Sequence, residues 1–245
     1  MAQTKSLYQD DSYLRTAKAR VIGCVPEGLV LDQTVFYPMA GGQPGDTGTL
    51  YTPGGTLRIA DTRKDKDTGA VLHVLENPSQ LEIFPREGEE VELTLDWDRR
   101  LRHMRMHTAL HLLCSLIPGG VTGGQIGSEK SRLDFAAEEG LPDKQDIEDA
   151  INAHVAANDP VNVIWENADL LKQKPELVRT LSVMPPVDAN GALRLIRIGP
   201  EESVVDFQPC GGTHVSRTGE IGRLRVGKIE NKGRNNKRIA LHLCD

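Results

Sequence analysis

Two pairs of side chains in the 245-residue sequence have the types and spacing of metal ligands. His107 and His111 are four residues apart in a segment of helical periodicity, which places both imidazoles on one helix face, one turn apart. Cys210 and His214 are also four apart, but the two glycines between them favour a tight turn over a helix. Three imidazoles and one thiolate form a donor set that suits tetrahedral Zn²⁺. The spacing therefore predicts a site for one zinc ion.

Other interpretations of this region remain open. Two histidines at this spacing also occur as packed or solvated side chains of an ordinary helix. Cys114 lies in a Leu-rich run and is expected to be a small buried hydrophobe. His103 lies among arginines and is expected to be solvated or near RNA. The remaining histidines have no ligand-like surroundings and are excluded from the predicted site: His73, His154 and His242.

The element that must present the histidine pair is a helix predicted over residues 98–117. Asp98 is its expected N-cap, and the Pro-Gly-Gly run at 118–120 stops it. Apolar residues lie on both sides of this helix, which predicts packing on both sides. A second helix is predicted over 143–158, and a helix or two short turns over 168–178. Strands are predicted at 161–165, 193–198, 204–207, 221–226 and 238–243, so this part is of α+β type.

The first 95 residues are rich in short strand candidates. They are separated by Gly and Pro clusters and occur at 21–25, 29–31, 34–37, 48–51, 57–61, 70–75 and 89–95. This pattern predicts a small barrel or sandwich. Because the character changes at Asp96, we expect two domains, residues 1–95 and residues 96–245.

Composition excludes several classes of protein. The net charge of −6 argues against a surface that binds nucleic acid all over, and the ten aromatic residues argue against a base-stacking platform. No window approaches 18 apolar residues, and the polar N-terminal segment lacks the apolar core of a signal peptide. The four cysteines are widely spread, so a cytoplasmic protein with thiols or metal ligands is expected.

The two ligand motifs, HxxxH and CGGTH, together resemble the editing domain of alanyl-tRNA synthetase. The chain is most similar to the free-standing AlaX proteins of the medium-length class. Residues 34–48, TVFYPMAGGQPGDTG, resemble the family segment TxFYPxxGGQPxDxG, although Met39 and Ala40 stand where the family more often has an acidic residue and glycine. Residues 131–135 (SRLDF) and 228–233 (KIENKG) are also similar to family segments, so the resemblance covers most of the chain.

The resemblance implies a fold and an activity. The fold would be α+β, with a small N-terminal glycine-rich β-barrel followed by an editing domain of the type shared with threonyl-tRNA synthetases. The activity would be zinc-dependent and ATP-independent hydrolysis of tRNA(Ala) mischarged with serine or glycine. Because the chain is too short for a synthetase core as well, we expect a separate editor that acts in trans. The alternatives are a non-catalytic zinc-stabilised RNA-binding module and, more distantly, a metallohydrolase for another ester or amide.

The family pattern also suggests residues that contact the substrate. Thr34 would sense the serine hydroxyl, unless it is an ordinary strand threonine. Gln43 would contact the amino acid or the terminal ribose, unless it is only a turn residue. Asp206 and Gln208 flank the ligand turn and would orient a ligand, a water or the substrate, unless they are simply polar residues at a strand end.

A zinc ion that is bound by four protein ligands has no open position for catalysis. Structural zinc sites are closed by four ligands, whereas catalytic sites keep an open position. Hydrolysis of an ester needs a positioned water and stabilisation of the oxyanion. We therefore expect His107, His111 and Cys210 to be the firm ligands and His214 to be the most exchangeable one.

Basic residues concentrate directly after the CGGTH motif. Between residues 217 and 238, eight Lys or Arg stand against two Glu. This excess predicts a surface that contacts tRNA phosphates, with a solvated hairpin face as the alternative. The expected tRNA-binding residues are Lys228, Lys232, Arg234, Lys237 and Arg238. Arginines at the start of the ligand helix would extend this surface: Arg99, Arg100, Arg102 and Arg105.

Overall fold

The computed structural model describes residues 4–78, 84–137, 140–181, 184–185, 187–188, 190–233 and 235–244. The chain divides into two compact units, Met1–Leu101 and Arg102–Asp245. Strands and helices follow one another in the mixed order expected of an α+β protein, so the predicted fold class is confirmed. In the part of the chain that the structure describes, no helix is long and apolar enough to cross a membrane.

The first unit is built around a closed barrel of six strands. Its strands are β1 (Lys5–Ser6), β2 (Thr16–Val25), β3 (Gly28–Leu31), β4 (Gln33–Thr34), β5 (Gly48–Thr52), β6 (Gly55–Lys64), β7 (Val71–Leu75) and β8 (Glu90–Leu95). The barrel closes in the order β2-β3-β7-β6-β5-β8, while β1 and β4 form a separate parallel pair. Burial alternates along β8: Val91, Leu93 and Leu95 are buried between exposed or half-buried neighbours and contribute to the barrel core.

The strand predicted at 34–37 is too long, because the chain leaves the ladder after Thr34. Asp46 is the reason: a carboxylate oxygen accepts the Tyr37 amide at 2.6 Å, and the Asp46 amide donates to the Tyr37 carbonyl at 2.9 Å. Arg100 pairs with the same carboxylate and is fully buried. The expectation that Arg100 belongs to a phosphate-binding surface is therefore wrong.

Helix α1 (Trp97–Leu116) begins one residue before the predicted helix and ends one residue earlier. Asp98 lies within its first turn, so its assignment as the N-cap is wrong. Its negative charge there still favours the positive end of the helix dipole. The Asp96 carbonyl, one residue before the helix, accepts the Arg100 amide at 3.1 Å. Asp96 therefore occupies the N-cap position, two residues before the N-cap that the sequence pattern indicates.

In its described residues, the second unit contains two antiparallel sheets and two further helices. The four-stranded sheet has the order β14-β15-β10-β9 and the three-stranded sheet the order β11-β12-β13. Their strands are β9 (Val121–Gln125), β10 (Lys130–Ala136), β11 (Val161–Asn167), β12 (Ala192–Ile198), β13 (Asp206–Pro209), β14 (Leu224–Gly233) and β15 (Asn236–Leu243). The helices are α2 (Lys144–Ala157) and α3 (Leu170–Gln173), and 3₁₀ turns occupy Pro175–Leu177 and Thr218–Ile221. A 3₁₀ turn of the first unit occupies Leu7–Gln9.

Two strands in this unit begin later in the sequence than predicted. The strand expected at 204–207 begins at Asp206, and the strand expected at 221–226 begins at Leu224 and runs to Gly233. Residues 218–221 form a 3₁₀ turn instead, in which the Glu220 carboxylate accepts the Ser216 and Arg217 amides. Helix α2 ends at Ala157, one residue before the predicted end, because Asn158 adopts a left-handed conformation with φ of 52°.

Candidate metal centre

The structure brings together the four side chains that the sequence predicts as zinc ligands. His107 and His111 come from α1, whereas Cys210 and His214 come from the turn after β13. One potential ligand atom from each residue lies within 4.8 Å of all the others. Cys210 Sγ is 3.3 Å from His214 Nε2 and 3.5 Å from His107 Nε2. The three histidines are buried and Cys210 is half-buried.

A buried arginine holds the Cys-Gly-Gly-Thr-His turn in place. Arg194, on β12, donates from Nη1 to the carbonyls of Cys210 at 2.7 Å and Gly212 at 3.0 Å. Its own carbonyl accepts the Cys210 amide at 3.1 Å. The two glycines let the chain fold back closely enough for the Gly212 amide to point at Cys210 Sγ, 3.4 Å away. Arg194 was not predicted as part of the site. The sequence feature that could have indicated it is a charged residue inside an otherwise apolar strand segment, LRLI.

His111 is oriented by a carboxylate behind it. Its Nδ1 lies 2.8 Å from Oδ2 of Asp206, which leaves Nε2 as the nitrogen that could bind a metal. The amide of Gln208 in turn donates to both oxygens of Asp206, at 3.1 and 2.9 Å. Asp206 and Gln208 point the same way because they are two residues apart on β13. These contacts have the geometry that orienting a ligand requires, and that role stays a prediction. Direct contact with substrate stays a prediction.

His214 is oriented in the same manner by Thr108. The Thr108 hydroxyl donates to the Met104 carbonyl, 2.9 Å away on the preceding helical turn. Its oxygen therefore accepts a hydrogen from His214 Nδ1 at 3.1 Å and from the Val215 amide at 3.3 Å. This pattern places the proton of His214 on Nδ1 and directs Nε2 toward Cys210. Sequence analysis did not identify Thr108, whose position one residue after a ligand carries no signal of its own.

The electrostatics of the cluster favour a cysteine thiolate. Burial alone would raise the pKa of Cys210, but the neighbouring imidazoles of His107 and His214 lower it well below its ordinary value. Burial and the nearby His107 lower the pKa of His214 well below its usual range. Burial would also lower the pKa of His111, but hydrogen bonds to Asp206 and Cys210 outweigh it and raise the pKa to about 10. A thiolate beside imidazoles fits a zinc ion, and two of these imidazoles, those of His111 and His214, have their other nitrogen held by an acceptor.

Two neighbours on the same helix do not belong to the cluster. Cys114 is buried, as expected, and burial raises the pKa of its thiol to about 12, so it behaves as an inert small hydrophobe. The expectation that His103 is solvated or near RNA is wrong, because only 2% of its surface is exposed. Its arginine-rich sequence surroundings suggested solvent, but α1 is buried on this side as well as on the ligand side.

Thr34 and Gln43 both lie in the first unit and are fully buried. The hydroxyl oxygen of Thr34 lies 2.7 Å from His73 Nε2 and accepts the Phe36 amide at 3.0 Å. Gln43 closes a turn with Ala40 through reciprocal backbone hydrogen bonds of 2.9 and 3.2 Å. Their predicted contacts with the substrate stay predictions. His73, which sequence analysis excluded from the zinc site, is the partner of Thr34.

The predicted tRNA-binding residues fall on the hairpin of β14 and β15. Lys232 lies 3.5 Å from Glu230, and Lys237 donates to the Asn231 side chain. Arg238 forms a two-pronged pair with Asp134 on β10, while Lys228 is exposed. Arg234 lies outside the described residues. Two of the helix arginines, Arg99 and Arg105, donate to backbone carbonyls of Gly45 and Ile221.

Comparison with known proteins agrees with this arrangement. Residues 3–99 match the family model of class II (A) tRNA synthetases, and residues 193–240 match that of the threonyl and alanyl tRNA synthetase second additional domain. The alanine–tRNA ligase of Pyrobaculum neutrophilum is 36% identical over 241 residues, which are 94% of this chain but 26% of the ligase.

Full-length relatives are free-standing proteins of similar size. The alanyl-tRNA editing protein AlaX-M of Methanosarcina acetivorans is 34% identical over 249 residues, covering 99% of this chain and 100% of the relative. AlaX-M of Pyrococcus horikoshii is 34% identical over 248 residues, covering 98% of both chains. The chain belongs to the AlaX-M family of alanyl-tRNA editing proteins.

Proposed function

We propose that this protein hydrolyses the ester between tRNA(Ala) and a wrongly attached serine or glycine. One zinc ion would be held by His107, His111, Cys210 and His214. The observation that carries the proposal is the convergence of these four side chains within 4.8 Å, in a chain that spans the whole length of AlaX-M relatives. The family name supports tRNA(Ala) as the partner, and the donor set supports zinc.

The choice of serine and glycine follows from the limits of a binding pocket. A synthetase pocket shaped for alanine cannot exclude glycine by size, and it rejects an added hydroxyl only weakly, by about 1–3 kcal/mol. A second site that hydrogen-bonds the hydroxyl discriminates strongly between serine and alanine, because bound alanine would leave the buried polar groups of that site unpaired. Hydrolysis at such a site removes the wrong amino acid after attachment.

Thr34 has the chemistry for recognising a hydroxyl. The carbonyl of Leu29, 3.3 Å from His73 Nδ1, assigns the ring proton to that nitrogen, so His73 Nε2 accepts the Thr34 hydroxyl hydrogen at 2.7 Å. One lone pair of the Thr34 oxygen accepts the Phe36 amide. A second lone pair remains to accept the hydrogen of a serine hydroxyl. Gln43 would contact the amino acid or the terminal ribose.

The metal centre would supply the chemistry of ester cleavage. When bound, zinc polarises a carbonyl and lowers the pKa of a bound water. Cys210 offers a thiolate, His111 is oriented by Asp206, and His214 by Thr108. His214 would be the exchangeable ligand that opens a position for substrate or water. Asp206 and Gln208 would orient the ligand and line the substrate side.

The test is deacylation of Ser-tRNA(Ala), Gly-tRNA(Ala) and Ala-tRNA(Ala), together with metal analysis. We expect hydrolysis of the serine ester, with zinc present at one per chain and activity lost on chelation and restored by zinc. The ligand variant His107→Ala should lose zinc and activity. The matched control His154→Ala, on α2, should keep both. Binding of tRNA without hydrolysis of any ester would favour a non-catalytic zinc-stabilised RNA-binding module.

The tRNA would approach along the β14–β15 hairpin. Its basic side chains would contact phosphates without reading sequence: Lys228, Lys232, Arg234, Lys237 and Arg238. The acidic remainder of the chain would confine the RNA to this edge, because the net charge of the whole chain is −6.

A further inference from the structure

A hollow lies on the four-stranded sheet of the second unit. It encloses about 390 Å³, and its lining includes Lys130, Arg132, Lys228 and Arg238, with Ala240 among them. The lining side chains come from β9, β10, β14 and β15, which are all the strands of this sheet. None of them contributes to the metal cluster.

Small residues create the hollow. On β15, Ala240 lies between Arg238 and His242 on the same face, and its register partner on β10 is Arg132. On β14, the register shifts between Val226 and Ile229. A Cβ atom added to Gly227 in that bulge would come within 3.2 Å of the Ala240 Cβ and 2.8 Å of His242 Nε2. The sheet therefore keeps an open space in the middle of a ring of long cationic side chains.

One carboxylate fixes two of these cations. Asp134 accepts two hydrogen bonds from Arg238, at 2.7 and 2.8 Å, and lies 3.2 Å from Arg132 Nη1. Because the guanidinium groups are oriented in advance, little side-chain entropy is lost when they bind an anion. A single carboxylate neutralises only one of the two, so the triad keeps a positive charge.

The other two cations have no such partner. Among the residues that the structure describes, no carboxylate pairs with Lys130 or Lys228, and both residues are exposed. Among its described residues, the lining contains one carboxylate, that of Glu230, whose oxygen lies 3.5 Å from Lys232 Nζ. The local field is positive: after burial, the cations Arg225, Lys130 and Lys144 lower the pKa of His242 at the edge of the hollow.

We propose that this hollow binds a phosphate group of an RNA backbone. A phosphodiester carries one negative charge, and its oxygens match the paired donors of a guanidinium. Among the residues that the structure describes, no aromatic side chain lines the hollow, so it would hold the backbone without stacking on bases. The identity of that RNA as tRNA(Ala) rests on the proposed function. The site adds Lys130 and Arg132 of β10 to the phosphate-binding residues that the sequence predicted. It does not include Lys237, which donates to Asn231 in the hairpin.

The test measures binding of uncharged tRNA(Ala) between about 50 and 200 mM salt, where phosphate contacts dominate the salt dependence. The variant Lys130→Gln with Lys228→Gln removes two cations that hold no structural partner. We expect the slope of log K against log salt to flatten by about 1 to 2, with binding weakened by about tenfold in low salt. The control Lys172→Gln with Lys174→Gln removes the same charge from exposed positions of the same unit and should leave the slope unchanged.

A second variant distinguishes tRNA binding in the hollow from general attraction to the positive charge of this surface. Ala240→Leu keeps every cation and fills the space, so it should weaken tRNA binding at all salt concentrations; circular dichroism would verify that it folds. An unchanged slope in the Lys130 and Lys228 variant, equal flattening in the control, or full binding by a folded Ala240→Leu protein would each overturn the proposal. Because uncharged tRNA is used, these results are independent of hydrolysis. Wild-type protein that binds through the hollow but deacylates nothing would contradict the proposed function and leave the hollow assigned.

Discussion

The Nδ1 atom of His111 lies 2.8 Å from a carboxylate oxygen of Asp206, and both side chains are buried. This contact fixes which ring nitrogen carries the hydrogen and increases the basicity of the other one. The contact joins the two halves of the candidate site, because His111 belongs to α1 and Asp206 begins the strand that leads to Cys210.

Replacing Asp206 by Asn should weaken zinc binding by about 10- to 100-fold, because His111 loses the carboxylate that orients it. Zinc affinity can be measured by competition with a chromophoric chelator. The control Asp169→Asn removes an exposed carboxylate that pairs with Lys172, far from the cluster in sequence, and it should not change the affinity. Equal affinities of Asp206→Asn and wild type would contradict the assignment.

Thr108→Val should weaken zinc binding by about tenfold, since an isosteric apolar group cannot accept the hydrogen of His214 Nδ1. Thr108→Ser restores the hydroxyl and should recover most of the affinity. A role in packing alone would give the opposite order, because valine preserves the shape of threonine better than serine does. The same chelator competition distinguishes the two results.

His214→Ala should retain zinc with reduced affinity, whereas Cys210→Ala should lose it. The reason is that ester hydrolysis requires a ligand that can be exchanged for substrate or water, while the thiolate supplies the only protein charge among the four ligands. Metal titration of both variants under identical conditions provides the comparison. Complete loss of zinc from His214→Ala would show that His214 is a firm ligand.

Arg194→Met should lower the free energy of unfolding by about 2 to 4 kcal/mol in metal-free protein. It leaves the carbonyls of Cys210 and Gly212 without their buried donor. Urea unfolding measures this loss. Arg197→Met, three residues further along β12, removes a guanidinium that lies 3.9 Å from an exposed Glu201, and it should cost much less. Similar losses of stability in both variants would contradict the inference that Arg194 holds the Cys210–His214 turn in place.

The buried imidazole of His73 predicts a loss of stability in mild acid. Burial lowers its pKa from 6.5 to about 4, against the smaller effect of the Leu29 carbonyl. Between these values the unfolded chain binds a proton that the folded chain does not, so the free energy of unfolding falls as the pH falls from 6.5 toward 4. The loss at pH 5 should be about 2 kcal/mol.

Urea unfolding at pH 7.5 and pH 5.0 checks this prediction. His73→Gln removes the titrating group, so its stability should fall less than that of the wild type between the two conditions, even though it starts lower. Identical losses in both proteins would mean that carboxylates alone cause the acid sensitivity.

The elements that sequence predicted well are those with local signals. Helix α1 was placed to within one residue at each end, because a Pro-Gly-Gly run stops it and its apolar residues recur at helical spacing. Strand β8 was visible from the alternation of Val91, Leu93 and Leu95. Strand β9 was missed, because Val121–Gln125 contains two glycines and its residues after Val121 are half-buried or exposed, so it carries no alternation.

The ligand set was readable for a similar reason, since each pair of ligands is four residues apart in sequence. The residues that orient those ligands were harder to recognise. Thr108 meets His214 across 106 residues, and Arg194 meets the ligand turn across 16. Buried arginines such as Arg100 were misread as surface charges, because burial depends on a distant partner, here Asp46 across 54 residues.

The wide separation of the two ligand pairs also affects how the protein is made. Cys210 follows His107 by 103 residues. At a synthesis rate of about 5–20 residues per second, about 5 to 20 seconds pass between the appearance of the two on a ribosome. During that interval the histidine pair exists without its thiolate, and any metal it meets is held by imidazoles alone. Capture of the proposed zinc ion by the complete set would therefore be a late event in the biogenesis of the chain, after most of the second unit has emerged.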